Sequence, residues 1–251
     1  MRIILIGTGN VATVLGKLIK QKGHDIVAVA GRSAASGNNL AEILYSTFIP
    51  IENVSDTEGD LYIIAVSDNA VKEVAARIRV AGKMIVHTAG AVPMHVLKET
   101  SEHYGVLYPL QSLRKEMNEI PEIPFIVEGN SPENSERIRQ FAYKLSKKVE
   151  IMGDMDRAKL HVAAVFTSNF CNHLYDMAAQ FCDAEKLDFD LLYPLIVETA
   201  SRLKYLRPSK LQTGPAARKD VLTLEKHLRL LSNYPKLKTT YTRLTDSIMN
   251  P

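Results

Sequence analysis

Three small residues near the start of the chain have a spacing that could do chemistry. Gly7, Gly9 and Ala12 form the pattern G-x-G-x-x-A, after the apolar run Ile3–Ile6 and before a segment with helical periodicity. In this motif Gly7 permits a tight turn, and Gly9 lets a pyrophosphate approach the backbone. The small Ala12 lets the helix pack closely on the strand, and the free N–H groups at the N-terminus of that helix face the phosphates. A glycine turn without a ligand is the alternative. The residues predicted to bind a dinucleotide are Gly7, Thr8, Gly9, Asn10, Val11 and Ala12.

The end of the second predicted strand decides which dinucleotide is preferred. NAD enzymes usually have an Asp or Glu there, about 20 residues after the glycines, to bind the ribose 2′-hydroxyl. This chain has Gly31, Arg32 and Ser33 instead. A solvated loop charge is the plainer interpretation of Arg32, but a guanidinium and a hydroxyl at this position can both donate to a 2′-phosphate. The sequence therefore predicts NADP(H) as the cofactor.

An apolar segment in the second half of the chain carries a polar stripe that could transfer a proton. His161, Ser168 and Asn172 would lie within about 20° of one another on an α-helix, and Asn169 is adjacent. These side chains either satisfy neighbouring backbone groups or line a wet cleft beside the nicotinamide, and the spacing leaves both open. In the second interpretation His161 and Asn169 are catalytic, and Ser168 and Asn172 bind substrate. A histidine can donate a proton near neutral pH.

A second polar group surrounds residue 220. Thr213 or Gly214 can cap a helix whose early turns contain Arg218 and Asp220. Asp220 and His227 would share one face of that helix. In the functional interpretation Thr213 and Arg218 bind a carboxylate or phosphate of the substrate, and Asp220 and His227 form a catalytic polar pair. An ordinary charged surface helix is the equal alternative.

The elements that must position these residues alternate between strands and helices in the first part of the chain. The predicted strands are Ile3–Ile6, Ile26–Ala30, Thr47–Ile51, Leu61–Val66, Met84–His87, Val106–Tyr108, Phe125–Val127 and Val149–Ile151. The alternation predicts an α/β fold with a doubly wound, mostly parallel Rossmann sheet. After Gly153 only helical patterns follow, at about 155–184, 188–206, 216–232 and 235–249. We therefore predict an NADP-binding Rossmann domain at 1–152 and an all-α substrate and dimerisation domain at 153–251.

The topology of such a sheet extends the predicted cofactor site. Ligands of open α/β sheets lie outside the carboxyl ends of the strands. The predicted strands that end near residues 66 and 87 therefore contribute to the site. The residues added in this way are Val66, Ser67, Asn69, Thr88 and Gly90.

Composition limits the possible classes of protein. The chain has 251 residues, of which 46% are hydrophobic and 24% charged, an ordinary globular balance. It has no apolar run of the roughly 18 residues that a membrane span needs, and no signal peptide is expected. Cys171 and Cys182 would lie about 16 Å apart on one helix, too far for a disulfide, which favours a reducing, cytoplasmic setting. The seven histidines lack metal-binding spacing, so no metal is expected.

Charge and apolar surface predict the partners. Residues 201–251 contain 11 Lys or Arg and 3 Asp or Glu, although the whole chain has a net charge of only +3. These charges are dispersed and form no block, so we expect an anionic small-molecule substrate and no nucleic acid. The helical domain is thin for its apolar content, which predicts a homodimer through it. The apolar residues concerned are Leu191, Leu192, Leu195, Ile196 and Leu203.

Several motifs also resemble a known family. "GTGNVA", "GRS" and "AVSD" are similar to the Rossmann domain of pyrroline-5-carboxylate reductase and of deazaflavin-dependent NADP oxidoreductases. With "HTAG", "YPLQSL", "HVAAVFTSN" and "TGPAARKD", nearly the whole chain resembles a family of NADP oxidoreductases that has this domain followed by a helical domain of unknown function. The resemblance implies a Rossmann fold and NADP(H). The residues that it places in the cleft are His161, Asn169, Thr213, Arg218, Asp220 and His227.

The chain departs from one related pattern. β-Hydroxyacid dehydrogenases and 6-phosphogluconate dehydrogenase carry Lys and Asn four residues apart on the first helix of the second domain, where this chain has His161 and Val165. A proton for hydride transfer must therefore come from another group, and His161 is the predicted donor. Two functions follow as hypotheses: an NADP(H)-dependent reductase of a small anionic carbonyl or imine compound, or a non-catalytic NADP(H)-binding sensor or scaffold. A protonatable group facing the nicotinamide favours the reductase.

Overall fold

The structure, a computed structural model, describes residues 1–250. The chain divides into two compact units, Met1–Asn169 and Phe170–Pro251. We call them the sheet unit and the helical unit.

The sheet unit is built on one sheet of eight strands in the order β3-β2-β1-β4-β5-β6-β7-β8. All neighbouring strands are parallel except β6 and β7. The strands are β1 (Arg2–Ile6), β2 (Asp25–Gly31), β3 (Thr47–Pro50), β4 (Leu61–Ile64), β5 (Met84–His87), β6 (His103–Pro109), β7 (Phe125–Gly129) and β8 (Val149–Ile151). All eight predicted strands are present, although β3 and β4 end earlier and β6 begins earlier than the sequence predicts.

The apolar strands explain why the sheet is covered on both faces. Ile3–Ile6 on β1 and Leu61–Ile64 on β4 are buried without interruption. Such continuous apolar runs are typical of parallel strands between two layers of helices. Two clusters of buried side chains, one on each face, contain alternate residues of these strands. The predicted doubly wound Rossmann sheet is therefore confirmed.

Four helices connect the strands: α1 (Asn10–Gln21), α2 (Ala34–Ile43), α3 (Asp68–Ala76) and α4 (Pro132–Leu145). Two begin with a serine cap, in which the Oγ accepts from a backbone N–H one turn later. Ser33 accepts from Ser36 before α2, and Ser131 accepts from Asn134 before α4. The first turn of α1 differs, because its N-cap is Gly9 and no side chain accepts its N–H groups.

A further helix, α5 (Asp154–Ala164), and a π-helical segment, Val165–Phe170, follow the last strand. The sequence predicts a domain boundary at 152/153, whereas the compact units divide at 169/170. The physical reason is Arg157, a fully buried residue of α5 that binds the sheet unit through several hydrogen bonds. The sequence pattern marks the end of the last strand at Ile151, whereas Arg157 lies after that strand and joins α5 to the sheet.

The helical unit contains α6 (Cys171–Glu185), α7 (Tyr193–Ser201), α8 (Val221–Leu230) and α9 (Pro235–Met249), as predicted in broad outline. Cys171 and Cys182 lie on α6 and form no disulfide. The predicted start of the third helix is wrong: Thr213 and Gly214 do not cap it. Helix α8 begins at Val221 because Asp220 accepts from the N–H of Thr223.

Candidate cofactor and active site

The turn after β1 requires a glycine. Gly7 has a φ of +128°, and a Cβ there would lie 2.1 Å from the carbonyl oxygen of Ala65. Its N–H donates to the carbonyl of Ala30 at 2.8 Å, so the turn is held between β2 and the end of β4. A side chain at this position would be strained by both conformation and space. The first glycine of the motif therefore has the role that the sequence predicts for it.

A cavity of about 530 Å³ lies over this turn. Most of the predicted cofactor residues line it: Gly7, Thr8, Gly9, Asn10, Val11, Gly31, Arg32, Ser33, Val66 and Ser67. Ala12 instead lies wholly buried in the core, which suits its predicted role in packing α1 on the sheet. Asn69 is exposed and does not line the cavity. Sequence reasoning missed Ser36 and Asp68, which also line this cavity.

The donors around this cavity fit a dinucleotide phosphate chain. The N–H groups in the first turn of α1 have no side-chain cap, and such groups are a ready site for an anion. Asn10 lies at the start of this helix, and its Oδ1 accepts from the N–H of Lys115 at 3.2 Å. This bond ties the loop after β6 to the glycine turn. The helix terminus is therefore both open to a ligand and held in place.

The same cavity also carries the groups predicted to select NADP(H). Arg32 makes no ion pair with any of residues 1–250, whereas its neighbour Arg77 pairs with Glu52. Ser36 Oγ lies 3.1 Å from Thr8 Oγ1, which joins the start of α2 to the glycine turn. A guanidinium, two hydroxyls and the start of α2 thus lie together, and these are groups that can donate to a 2′-phosphate.

A second cavity, of about 720 Å³, adjoins the first, because Val11, Val66 and Asp68 line both. It lies wholly within the sheet unit. Besides Val11 and Val66, five further predicted site residues line it: Thr88, Gly90, His161, Ser168 and Asn169. The structure therefore brings the ends of β4 and β5 together with the end of α5, as the cleft interpretation requires.

A tyrosine and a histidine are paired in the wall of this cavity. Tyr108 Oη lies 2.9 Å from Nδ1 of His161, and the two rings meet edge to face with centroids 5.8 Å apart. Burial, and secondarily the charge of Asp68, raise the pKa of Tyr108, so its phenol stays protonated at neutral pH. A Cβ at Gly90 would lie 2.7 Å from Nδ1 of His161, so the pair exists only because residue 90 has no side chain.

Arg157 holds the surroundings of this pair. Its side chain is fully buried and donates to the carbonyls of Gly90 at 3.2 Å and Val92 at 2.7 Å. It also forms ion pairs with Glu128, at 2.7 Å, and with Asp154. Burial raises the pKa of Glu128, while the Arg157 guanidinium lowers it. Arg157 is thus a buried connection between α5, β7 and the loop after β5.

The predicted polar stripe is only partly correct. The prediction assumes a regular α-helix from His161 to Asn172, but Val165–Phe170 is π-helical and its wider turns change which residues share a face. His161 and Ser168 line the second cavity together with Thr167 and Asn169. Asn172 lies on α6 in the helical unit, is exposed, and is not among the lining residues.

The remaining predicted residues lie in the helical unit, where one predicted contact is wrong. Asp220 and His227 do not pair. Asp220 accepts from the N–H and hydroxyl of Thr223, bonds that lower the pKa of its carboxyl, while His227 Nδ1 lies 2.8 Å from Tyr241 Oη. Helix α8 begins only at Val221, so Asp220 serves as its cap and has no oxygen turned to His227. Thr213 and Arg218 are exposed.

Sequence reasoning missed Tyr108 and Arg157 as site residues. Tyr108 belongs to the motif "YPLQSL", which is part of the family resemblance but carries no signal for the role of its tyrosine. Arg157 carries no sequence signal, because an arginine in the first turns of an amphipathic helix is ordinarily a surface charge. Among residues 1–250 no cluster of three His, Cys, Asp or Glu could hold a metal ion. In the same residues, no helix combines the length and apolar character needed to cross a bilayer.

Comparison with known proteins defines first the class and then the family. Residues 1–111 match the Rossmann-like domain, and residues 123–248, half of the chain, match a domain of unknown function (DUF2520). The crystal structure of a Bacteroides fragilis protein described as a "putative NADP oxidoreductase" is 37% identical, with a TM-score of 0.90, covering 100% of this chain and 98% of that one. The chain therefore belongs to the family with a Rossmann-like domain followed by a DUF2520 domain, and the predicted family is confirmed.

More distant structures share the fold. A 1-pyrroline-5-carboxylate reductase from Streptococcus pyogenes is 16% identical, with a TM-score of 0.66, and covers 100% of this chain and 99% of that chain. A reductive aminase from Aspergillus terreus, in complex with NADPH and ethyl-5-oxohexanoate, is 19% identical, with a TM-score of 0.64, and covers 100% and 90%. No match was found among curated proteins.

Proposed function

We propose that the chain is an NADP(H)-dependent reductase that transfers hydride between the nicotinamide and a small, anionic carbonyl or imine compound. The observation that carries this proposal is the adjoining pair of cavities. One is lined by the glycine turn and Arg32, and the other by the Tyr108–His161 pair, and they share Val66 and Asp68. A cofactor in the first cavity would thus place its reactive end beside a group that can supply a proton.

The relatives support the coarser part of this proposal. The protein that is 37% identical over the full length is described as a "putative NADP oxidoreductase", and more distant neighbours of the same fold include a reductive aminase in complex with NADPH. The predictions of an oxidoreductase and of NADP(H) are confirmed at this level. The donors around the first cavity fit the same cofactor, since its open helix terminus and Arg32 offer partners for the pyrophosphate and 2′-phosphate.

The residues of the second cavity suit the proton half of the reaction. When bound, the cofactor supplies a hydride to the carbon of a C=O or C=N bond. The electron pair of that bond moves to the oxygen or nitrogen, which takes a proton. His161 is half-buried in the cavity wall, and a histidine suits this transfer near neutral pH. Asn169 and Ser168 line the same cavity and can hydrogen-bond the substrate.

The anionic character of the substrate rests on the helical unit. Asp68 is the one Asp, Glu, Lys or Arg among the residues that line the second cavity within residues 1–169. We propose that Arg218 and Thr213, two exposed residues of the helical unit, bind an anionic group of the substrate. Replacing Arg218 by Ala should raise the Michaelis constant of an anionic substrate and leave that of an uncharged analogue unchanged. We also propose a cytoplasmic homodimer that forms through the helical unit.

The test is turnover with a panel of small keto acids, keto esters, cyclic imines, and ketones mixed with amines. NADPH oxidation is followed by absorbance for the wild type, for His161→Asn and for His95→Asn, a control at an exposed histidine outside both cavities. We expect oxidation of NADPH with at least one compound, and a rate about 10²–10⁴-fold lower for His161→Asn only. NADPH binding without any turnover would support the sensor function instead.

A further inference from the structure

The hydrogen bond between Tyr108 and His161 assigns different tasks to the two ring nitrogens. Tyr108 Oη lies 2.9 Å from Nδ1. Among residues 1–169, no hydrogen-bond partner faces Nε2, and the histidine lines the second cavity. We propose that Tyr108 is a positioning residue, which holds Nδ1 of His161 so that Nε2 is the atom that exchanges the proton with the substrate. This inference rests on the proposed reductase function.

The burial of Tyr108 and two neighbouring residues, Gly90 and Arg157, fix the geometry of the pair. Tyr108 is only 8% exposed and lies near the end of β6, so its ring cannot follow a moving partner. Gly90 leaves room for both rings, since a Cβ there would lie 2.9 Å from Cζ of Tyr108 as well as 2.7 Å from the histidine. Arg157, one helical turn before His161 on α5, donates to the carbonyl of Gly90. The histidine is therefore held from its own helix and from the sheet.

A phenol is suited to this task in both charge states of the histidine. The hydroxyl oxygen of the phenol accepts from Nδ1–H of an imidazolium, and it accepts equally from the neutral tautomer that keeps its proton on Nδ1. The imidazolium then gives its Nε2 proton to the oxygen or nitrogen that receives the electron pair of the reduced bond. The neutral imidazole keeps Nδ1–H on Tyr108 Oη, and Nε2 takes a new proton from water after product leaves. Tyr108 itself loses no proton in the cycle.

An orienting partner on the second nitrogen is a general device for histidines. The bond that one ring nitrogen makes decides the orientation of the ring and the tasks left to the other nitrogen. Without the Tyr108 hydroxyl, His161 could rotate about its side-chain bonds, and Nε2 would point at the substrate for only part of the time. The loss should therefore appear in the catalytic step and not in binding of either ligand.

A double-mutant cycle tests the assignment in the full-length protein. The variants are Tyr108→Phe, His161→Asn and both together, measured as kcat, KM and the dissociation constant of NADPH, with the compound that wild type turns over. We expect kcat of Tyr108→Phe to fall about tenfold, with KM and NADPH affinity unchanged. In the His161→Asn background, Tyr108→Phe should have no further effect, because a positioning residue acts only through its partner.

The matched control is Tyr62→Phe. Tyr62 is also buried and lines neither cavity, and its hydroxyl donates to the backbone carbonyl of Thr57. This substitution should lower the melting temperature without changing kcat. An unchanged kcat in Tyr108→Phe would overturn the inference, and so would a full loss of rate that persists in the His161→Asn background, since Tyr108 would then act on the substrate directly. A wild type that turns over no compound would overturn the proposed function itself.

Discussion

The sheet unit and the helical unit differ in how completely each buries its own apolar side chains. In the sheet unit, Ile3–Ile6 and Leu61–Ile64 are 0–4% exposed, and 46 of the 50 buried hydrophobic residues within 1–250 lie there. In the helical unit, the buried hydrophobic residues within 170–250 are Cys182, Ala216, Leu224 and Leu231. Leu191 is 75% exposed and Leu195 is 61% exposed.

This difference separates the tasks of the two units. The sheet unit is a self-sufficient core whose cavities are formed by its own residues. Exposed apolar surface on the scale of the helical unit is typical of a surface that another molecule covers. A second copy of the chain is the simplest partner, since most oligomers are symmetric dimers of one chain.

The largest effect is expected at the apolar surface of the helical unit. Replacing both Leu191 and Leu195 by Glu should convert a dimer into a monomer at micromolar concentration, because two unpaired carboxylates would have to be buried on association. Sedimentation velocity measures the change. Lys236→Glu, an exposed polar position of the same unit, is the control and should stay dimeric. A wild type that sediments as a monomer would remove the proposed dimer.

The next effect lies inside the sheet unit. Arg157→Met should lower the free energy of unfolding by about 3–5 kcal/mol, because Glu128 would keep a half-buried carboxylate without its partner. Lys159→Met on the same helix removes an exposed ion pair with Asp156 and should cost less than about 1 kcal/mol. Urea unfolding measures both variants. Equal losses would show that the buried network is not what joins α5 to the sheet.

A smaller effect depends on pH. Burial, and secondarily the charge of Arg157, lower the pKa of His87 to about 4 from an ordinary value of 6.5. Between these two pH values the unfolded chain binds a proton at His87 that the folded chain does not bind. The free energy of unfolding therefore falls by up to about 3 kcal/mol as the pH drops from 6.5 to 4. Below pH 4 both states are protonated at His87, and this residue causes no further change.

Urea unfolding at several pH values isolates this contribution. His87→Asn keeps an acceptor for the Ala89 N–H that His87 Nδ1 now accepts, and lacks the titration. Its stability should fall less steeply with acid than that of wild type, while exposed His95→Asn should follow wild type. Parallel curves for His87→Asn and wild type would contradict the prediction.

The smallest effect concerns cofactor choice. Arg32→Ala should weaken NADPH by about 1–3 kcal/mol and leave NADH nearly unchanged, because only NADPH has the 2′-phosphate. The guanidinium of Arg77 is already paired with Glu52, so Arg77→Ala should reduce NADPH affinity less than Arg32→Ala does. Titration by the fluorescence of the reduced cofactors measures both. Equal affinity of the wild type for NADPH and NADH would contradict the assignment of Arg32.

The sequence predicts the sheet unit far better than the details of the site. Period and glycine spacing mark every strand and the turn at Gly7, because these depend on local residues. The pairing of Tyr108 with His161 joins residues that are 53 positions apart, and the hydrogen bond of buried Arg157 to Gly90 joins residues that are 67 positions apart. Only folding brings such residues together. The π-helical segment changes the helix face on which Asn172 lies, and the cap at Asp220 makes α8 begin later than its sequence pattern predicts. A regular helical period in the sequence shows neither effect.

The central claim is that the nicotinamide lies in the second cavity, beside Nε2 of His161. A crystal structure of the protein with NADPH measures this directly, as the distance between that nitrogen and C4 of the nicotinamide. We expect the ring in this cavity on the Nε2 side of His161, with a distance of about 5–6 Å, which leaves room for a substrate bond between the hydride and proton donors. A distance of more than about 10 Å, or a ring outside the cavity, would be beyond reach of direct proton transfer and would contradict the account.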